Sequence, residues 1–105
     1  MLASFSIIPV GAGEELKDHV AAIIDIIDKS GLAYKLGAMQ TTVEGPEDEV
    51  VLLIMRCHHH MLSTTHRVLT HIAIDDRAGA TGRLEGKVAD VEKALGRKLS
   101  REASV

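Results

Sequence analysis

Aromatic side chains are nearly absent from this chain: Phe5 and Tyr34 are the only two among 105 residues. Proteins that bind single-stranded nucleic acid stack bases on aromatic platforms, and sugar-binding sites usually need the same rings, so the scarcity argues against both. A basic excess is also missing. Fifteen acidic residues against twelve basic give a formal charge of −3, which offers no electrostatic footprint for a phosphate backbone. The single cysteine, Cys57, excludes an internal disulfide and fits a reducing cytoplasm. Long apolar runs are lacking too. The longest, Val50 to Met55, is far too short to span a bilayer. The amino terminus MLASFSIIPVG is apolar but carries no positive segment, and it reads as a buried first strand, not a signal peptide.

What is present is a well-patterned aliphatic chain of one-domain length. A domain of this size buries about 65% of the surface its unfolded chain exposes, so a monomer is feasible and association adds useful burial. The first strand spans Leu2 to Val10, with Ala3, Phe5 and Ile7 on one face and Ser4, Ser6 and Ile8 on the other. Pro9 ends its ladder, and Gly11 and Gly13 turn the chain. A helix follows from Glu14 to Lys29, its apolar stripe made by Leu16, Val20, Ile23, Ile24 and Ile27. Glu14 and Glu15 suit its positive end and Gly31 its stop.

LAYKLGAMQTTVEGP reads as a hairpin turning near Gly37–Ala38. Its second strand places Met39, Thr41 and Val43 on one face and Gln40, Thr42 and Glu44 on the other. Pro46 and the acids Glu47 to Glu49 open a second helix. Val50, Leu53, Ile54, Cys57 and Met61 line its buried side, while the additional apolar residues Val51, Leu52 and Met55 predict contact with another subunit. Arg67 to Asp75 is the last strand, DDRAGATG a loop, and Arg83 to Leu95 a third helix.

The order βαββαβ plus a terminal helix predicts a ferredoxin-like domain over residues 1–96, followed by a polar tail, 97–105. Its sheet is four-stranded and antiparallel, helices cover one face, and the first and third strands lie at the centre. The uncovered face would show Ile8 and Leu69, or Met39 and Val43, depending on register. Either set suits a partner sheet or a ligand.

Five segments keep a distinctive order: SIIPVGAG (Ser6 to Gly13), SGLAYKLGAMQTTVEG (Ser30 to Gly45), DEV (Asp48 to Val50), RVLTHIAIDDR (Arg67 to Arg77) and KVADVEKAL (Lys87 to Leu95). Together they resemble the small thiamine-binding protein family, related to the tandem-domain YkoF-like proteins that bind thiamine and its hydroxymethylpyrimidine precursor. The resemblance covers residues 2 to 95. It implies a non-catalytic subunit, without a cofactor, that assembles into dimers and tetramers and holds its ligand between the first strand and the hairpin. Carried over by position, Ser6 and Ile7 fall in the first-strand motif and Thr41 on the hairpin threonine, with Met39, Gln40 and Glu44 flanking. Gln40 departs from a position where the family commonly has glycine, and AGATG after Arg77 replaces a more charged stretch.

The chemistry suits the residues. Ser6 and Thr41, brought together by the two inner strands beside aliphatic walls, supply hydroxyls that both donate and accept, as an aminopyrimidine requires. A carboxylate such as Glu44 can accept from the amine or offset a thiazolium, and Met39 offers a polarisable surface. Small hydroxyls also suit a sheet packed on another sheet, and Glu44 also suits a solvated strand end. Cys57, His58, His59 and His60 do not make a metal site, because adjacent helical residues diverge by about 100°. Gly11–Ala12–Gly13 lacks the spacing and the lysine of a phosphate loop. Two other functions remain open: a structural or regulatory module that recognises another metabolite or a protein, and a small enzyme using Asp75, His71 or His58, for which no convergent nucleophile, base and orienter is visible.

Overall fold

The computed structural model describes residues 1–11, 16–79 and 81–100. The expected turn at Gly13 and the acidic pair Glu14–Glu15 lie outside these residues. The element order is β1 (Leu2–Pro9), α1 (Leu16–Lys29), β2 (Ala33–Leu36), β3 (Thr41–Glu44), α2 (Glu47–Thr64), β4 (Val68–Asp75) and α3 (Arg83–Leu95). The strands form one antiparallel sheet in the order β2-β3-β1-β4, which puts the first and third strands at its centre.

Alternation along β1 sets the two faces. Ala3 and Phe5 are buried under the helices, and Val43 of β3 and Tyr34 of β2 lie on the same side. The side chains expected on the inner side of α2 are all buried there: Val50, Leu53, Ile54, Cys57 and Met61. They meet Ile23 and Ile27 of α1 in a single aliphatic core. Two apolar flanks stay uncovered in the single chain: the one expected to meet another subunit, and the start of the α1 stripe. Val51, Leu52 and Met55 are exposed within the chain, because α2 turns that flank away from the sheet. Leu16 and Val20, at the start of the α1 stripe, are also exposed: the core closes at Ile23, and the first two turns of the helix overhang the sheet's end.

The register decides the uncovered face. Val43 is sealed in the core, so Ile8 and Leu69, direct partners across β1 and β4, are the aliphatic pair on the open side. Down that face run Ser6 opposite His71, then Ser4 between Ala73 and Thr42, with Lys35 beside Thr42. The third helix packs on this same side. Gly82, just before it, has φ 66° and supplies no side-chain cap. Instead Glu44 reaches across from β3 and accepts the backbone N–H groups of Arg83 (2.8 Å) and Leu84 (3.2 Å). Ion pairs Lys35–Glu85 and Lys87–Asp75 complete the attachment. After Gly96, residues 97–100 fold back on the helix, and the Leu99 N–H donates to the Glu92 carboxylate.

Candidate functional site

The site is built where β1 outruns its neighbour. β3 begins at Thr41, whose partner is Phe5, so the last residues of β1 pair with β4 alone. Antiparallel strands send the backbone groups of successive residues to opposite sides. Val10 donates to the Arg67 carbonyl at 2.8 Å, which assigns the even-numbered residues of β1 to β4. Gly45 donates to the Met1 carbonyl at 3.1 Å, which assigns the odd-numbered ones to β3. Ile7 is odd-numbered and lies beyond the end of β3. Its N–H and C=O therefore point to the side where the sheet has no further strand.

That gap opens into a recess of about 500 Å³ between the end of β1, the overhanging first turns of α1 and the hairpin loop 37–40. The loop is closed by a Gly37 N–H to Gln40 carbonyl bond of 2.8 Å. Leu16, Val20, Ile24, Leu36 and Met61 make its walls aliphatic. Its polar side chains are Ser6, Gln40 and Thr41, and no charged side chain lines it among the described residues.

Five of the six expected site residues, Ser6, Ile7, Met39, Gln40 and Thr41, border this recess. Their roles differ from the expected ones. Met39 and Gln40 belong to the hairpin loop, not to a strand, and Met39 is 86% exposed. Thr41 shares the helix-facing side with Phe5, whereas Ser6 alternates to the open side, so the register turns the two hydroxyls to opposite faces. Glu44 stands apart. It sits at the far end of β3 and is engaged as the cap of α3.

A second recess, of about 470 Å³, lies under α3 on the open face. Here two hydroxyls do meet, because Ser4 and Thr42 are direct cross-strand partners. Lys35, Asp75, Glu85 and Lys87 line the walls, bound to one another in the ion pairs already described. The alternation of Ser4 and Thr42 was legible in the chain, but their pairing depends on the long-range register of β1 against β3, which no local turn fixes.

The other reactive groups do not converge. Cys57 is fully buried, and burial pushes its thiol up to about 11. His58 shares a hydrogen bond of 2.6 Å with Thr70 on the helix-facing side. His71 lies on the open side, opposite Ser6. Asp75 is at the other end of β4, its carboxyl held below the usual value by its hydrogen bond and charge pairing with Lys87. Among the described residues, no three His, Cys, Asp or Glu side chains are placed to hold a metal ion, and no helix is long and apolar enough to cross a membrane.

The architecture defines a ferredoxin-like subunit with a recess at the free end of its central strand, lined by no charged side chain among the described residues. Within that class the chain belongs to the thiamine-binding protein family, whose model matches residues 3–92. It is 35% identical over 96 residues to the UPF0045 protein Mb1933 of Mycobacterium bovis, covering 90% of this chain and 94% of that one. UPF0045 protein MJ1052 of Methanocaldococcus jannaschii is 31% identical over 96 residues, with 91% and 92% covered. The crystal structure of MJ1052 superposes with a TM-score of 0.76 at 32% identity, covering 90% of this chain and 94% of that one. TM0486 of Thermotoga maritima, a candidate thiamine biosynthesis/salvage protein, shares the fold with a TM-score of 0.76 at 24% identity, covering 86% and 96%.

Proposed function

We propose that this protein binds thiamine or its hydroxymethylpyrimidine precursor, without catalysis, in the recess at the end of β1. The observation that carries this reading is the backbone edge at Ile7, unpaired by any strand among the described residues, beside aliphatic walls. An aminopyrimidine presents an acceptor ring nitrogen next to a donor amine, and an extended residue presents the complementary N–H and C=O. The ring would add to the edge of β1 much as another strand does. Thr41 and Gln40 supply further polar contacts, and Leu16, Val20 and Met39 supply contact for the ring faces. The volume lies within the range of about 300–1,000 Å³ usual for small-ligand sites. The pyrimidine occupies the recess beside the Ile7 edge. Membership of the thiamine-binding family supports the same ligand class.

The proposal includes a cytoplasmic setting and self-association to a homotetramer. The open sheet face, with Ile8 and Leu69 exposed, supports association. Calorimetry at high protein concentration against thiamine, hydroxymethylpyrimidine and thiamine phosphates tests the ligand. We expect heat with the first two, and affinity for hydroxymethylpyrimidine that changes little with salt. No heat with any of the compounds overturns the assignment.

A further inference from the structure

We infer that the recess beneath α3 is a second binding site, for a small organic monocarboxylate with an aliphatic body, whose acid group takes the place that the Glu85 side chain holds beside Lys35. The site goes beyond the pyrimidine reading, and its test is separate.

The floor of the recess is one transverse row of the sheet. Register sets Lys35 of β2, Thr42 of β3, Ser4 of β1 and Ala73 of β4 side by side on the open face. Neighbouring strands lie about 4.8 Å apart, so an ammonium and two hydroxyls follow one another at spacings that one small molecule can bridge. Ala73 ends the row with a methyl group and leaves space above it. The first turns of α3 make the roof through Leu84, Glu85 and Val88, with Leu2 and Ile74 as apolar sides. Further along the helix Val91 and Leu95 are exposed, so the roof ends there.

Two observations point to a ligand. The hydroxyls of Ser4 and Thr42 have no hydrogen-bond partner among the described residues, although both side chains are half-buried and border the recess. Lys35, in the same row, is only 9% exposed, and an ammonium so far removed from water needs an anion beside it. Glu85 supplies one from a helix position that leaves its own side chain 53% exposed, and it leaves both hydroxyls unused. A ligand carboxylate standing over Thr42 can accept from Lys35 and from the hydroxyls together. Its aliphatic body then lies against Leu2, Ile74, Leu84 and Val88. Glu85, once displaced, returns to water at little cost, because a half-exposed ion pair contributes little.

Charge selects a single negative group. Of the other charged side chains at the walls, Lys87 is paired with Asp75 and Arg83 with Asp90. Exchanging one carboxylate for another keeps that balance, whereas a phosphate brings a second negative charge into a recess that already holds Asp75.

Heteronuclear NMR titration of the full chain with 3-methylbutanoate tests the inference. The expected result is saturable shifts at the amides of Ser4, Lys35, Thr42 and Ala73, with a Kd on the order of 1 mM. The neutral 3-methylbutanamide should bind about tenfold more weakly or worse, and inorganic phosphate should not shift these amides. Glu85→Gln, which removes the competing charge, should tighten binding about fivefold, and Thr42→Val, which keeps the shape and removes the hydroxyl, should weaken it about fivefold. Shifts that do not saturate, shifts confined to Ile7, Gln40 and Thr41, or equal binding of the amide overturn the site. So does a Glu85→Gln chain that binds no tighter, or a folded Thr42→Val chain that binds like wild type. Phosphate that shifts the same amides as strongly overturns the assignment to a carboxylate. If Thr42→Val fails to fold, Glu85→Gln and the amide decide. Pyrimidine binding is read separately by calorimetry, so either site can fail alone.

Discussion

Cys57 and Thr41 illustrate how position governs chemistry at single residues. The thiol is sealed in the core, where a thiolate would lose its hydration, and its ionisation is pushed up to about 11 from an ordinary 9.0. The native protein should therefore resist a disulfide-exchange thiol reagent at pH 8 and react fully once unfolded. The linkage has a definite sign. The raised value stabilises the fold fully below pH 9, where both states keep the proton, and this contribution is lost as pH rises towards about 11, because the unfolded thiol ionises first. Denaturant midpoints should fall across that window more steeply for wild type than for Cys57→Ala. Thr41 is half-buried and contributes a hydroxyl to the recess beside β1. Thr41→Val keeps its shape and removes the hydroxyl, and it should weaken pyrimidine binding by about 1 kcal/mol, roughly fivefold in Kd. Unchanged affinity in calorimetry would exclude Thr41 as a direct contact. Both alternation patterns were legible along the chain. That Ser6 and Thr41 diverge was not, because facing across strands depends on a register that one residue of slip reverses.

Among the elements, α3 is the one whose attachment is mostly polar. Its first turn has no cap of its own, since Gly82 offers no side chain, and the β3 carboxylate of Glu44 serves instead. Glu44→Ala should cost about 1 kcal/mol and speed amide exchange at Arg83 and Leu84, with little change in the core strands. Measured exchange at those two amides equal to wild type would refute the capping role. Lys87 holds the Asp75 carboxyl below its ordinary 3.8, so this tie is present above that value and is lost as pH falls through the lowered one. Val91 and Leu95 continue the predicted stripe of α3 but remain exposed, which the periodicity of one helix cannot foretell. Periodicity identifies which face is apolar. Whether anything lies against that face is a property of the other elements.

For the whole molecule, stability rests on the layer between the sheet and the first two helices. Ile27 is completely buried between them, and Ile27→Ala should cost about 2–5 kcal/mol, measured as a lower urea midpoint with an unchanged slope. A domain of this size is held by only about 5–15 kcal/mol, so the variant should approach unfolding at physiological temperature. A cost below 1 kcal/mol would mean that the site collapses freely around the missing methyl groups.

The chain alone determined the elements, the ferredoxin-like order, the central pair of strands and the inner side of α2, because these follow from local periodicity and from the handedness of crossovers. Folding in three dimensions decided the rest. It turned Ser6 away from Thr41, brought Ser4 beside Thr42, drew Glu44 off to cap α3 and left the Ile7 edge open where β3 stops short. Each of these depends on where two segments distant in sequence come into register, and the spacing of residues within either segment holds no record of that.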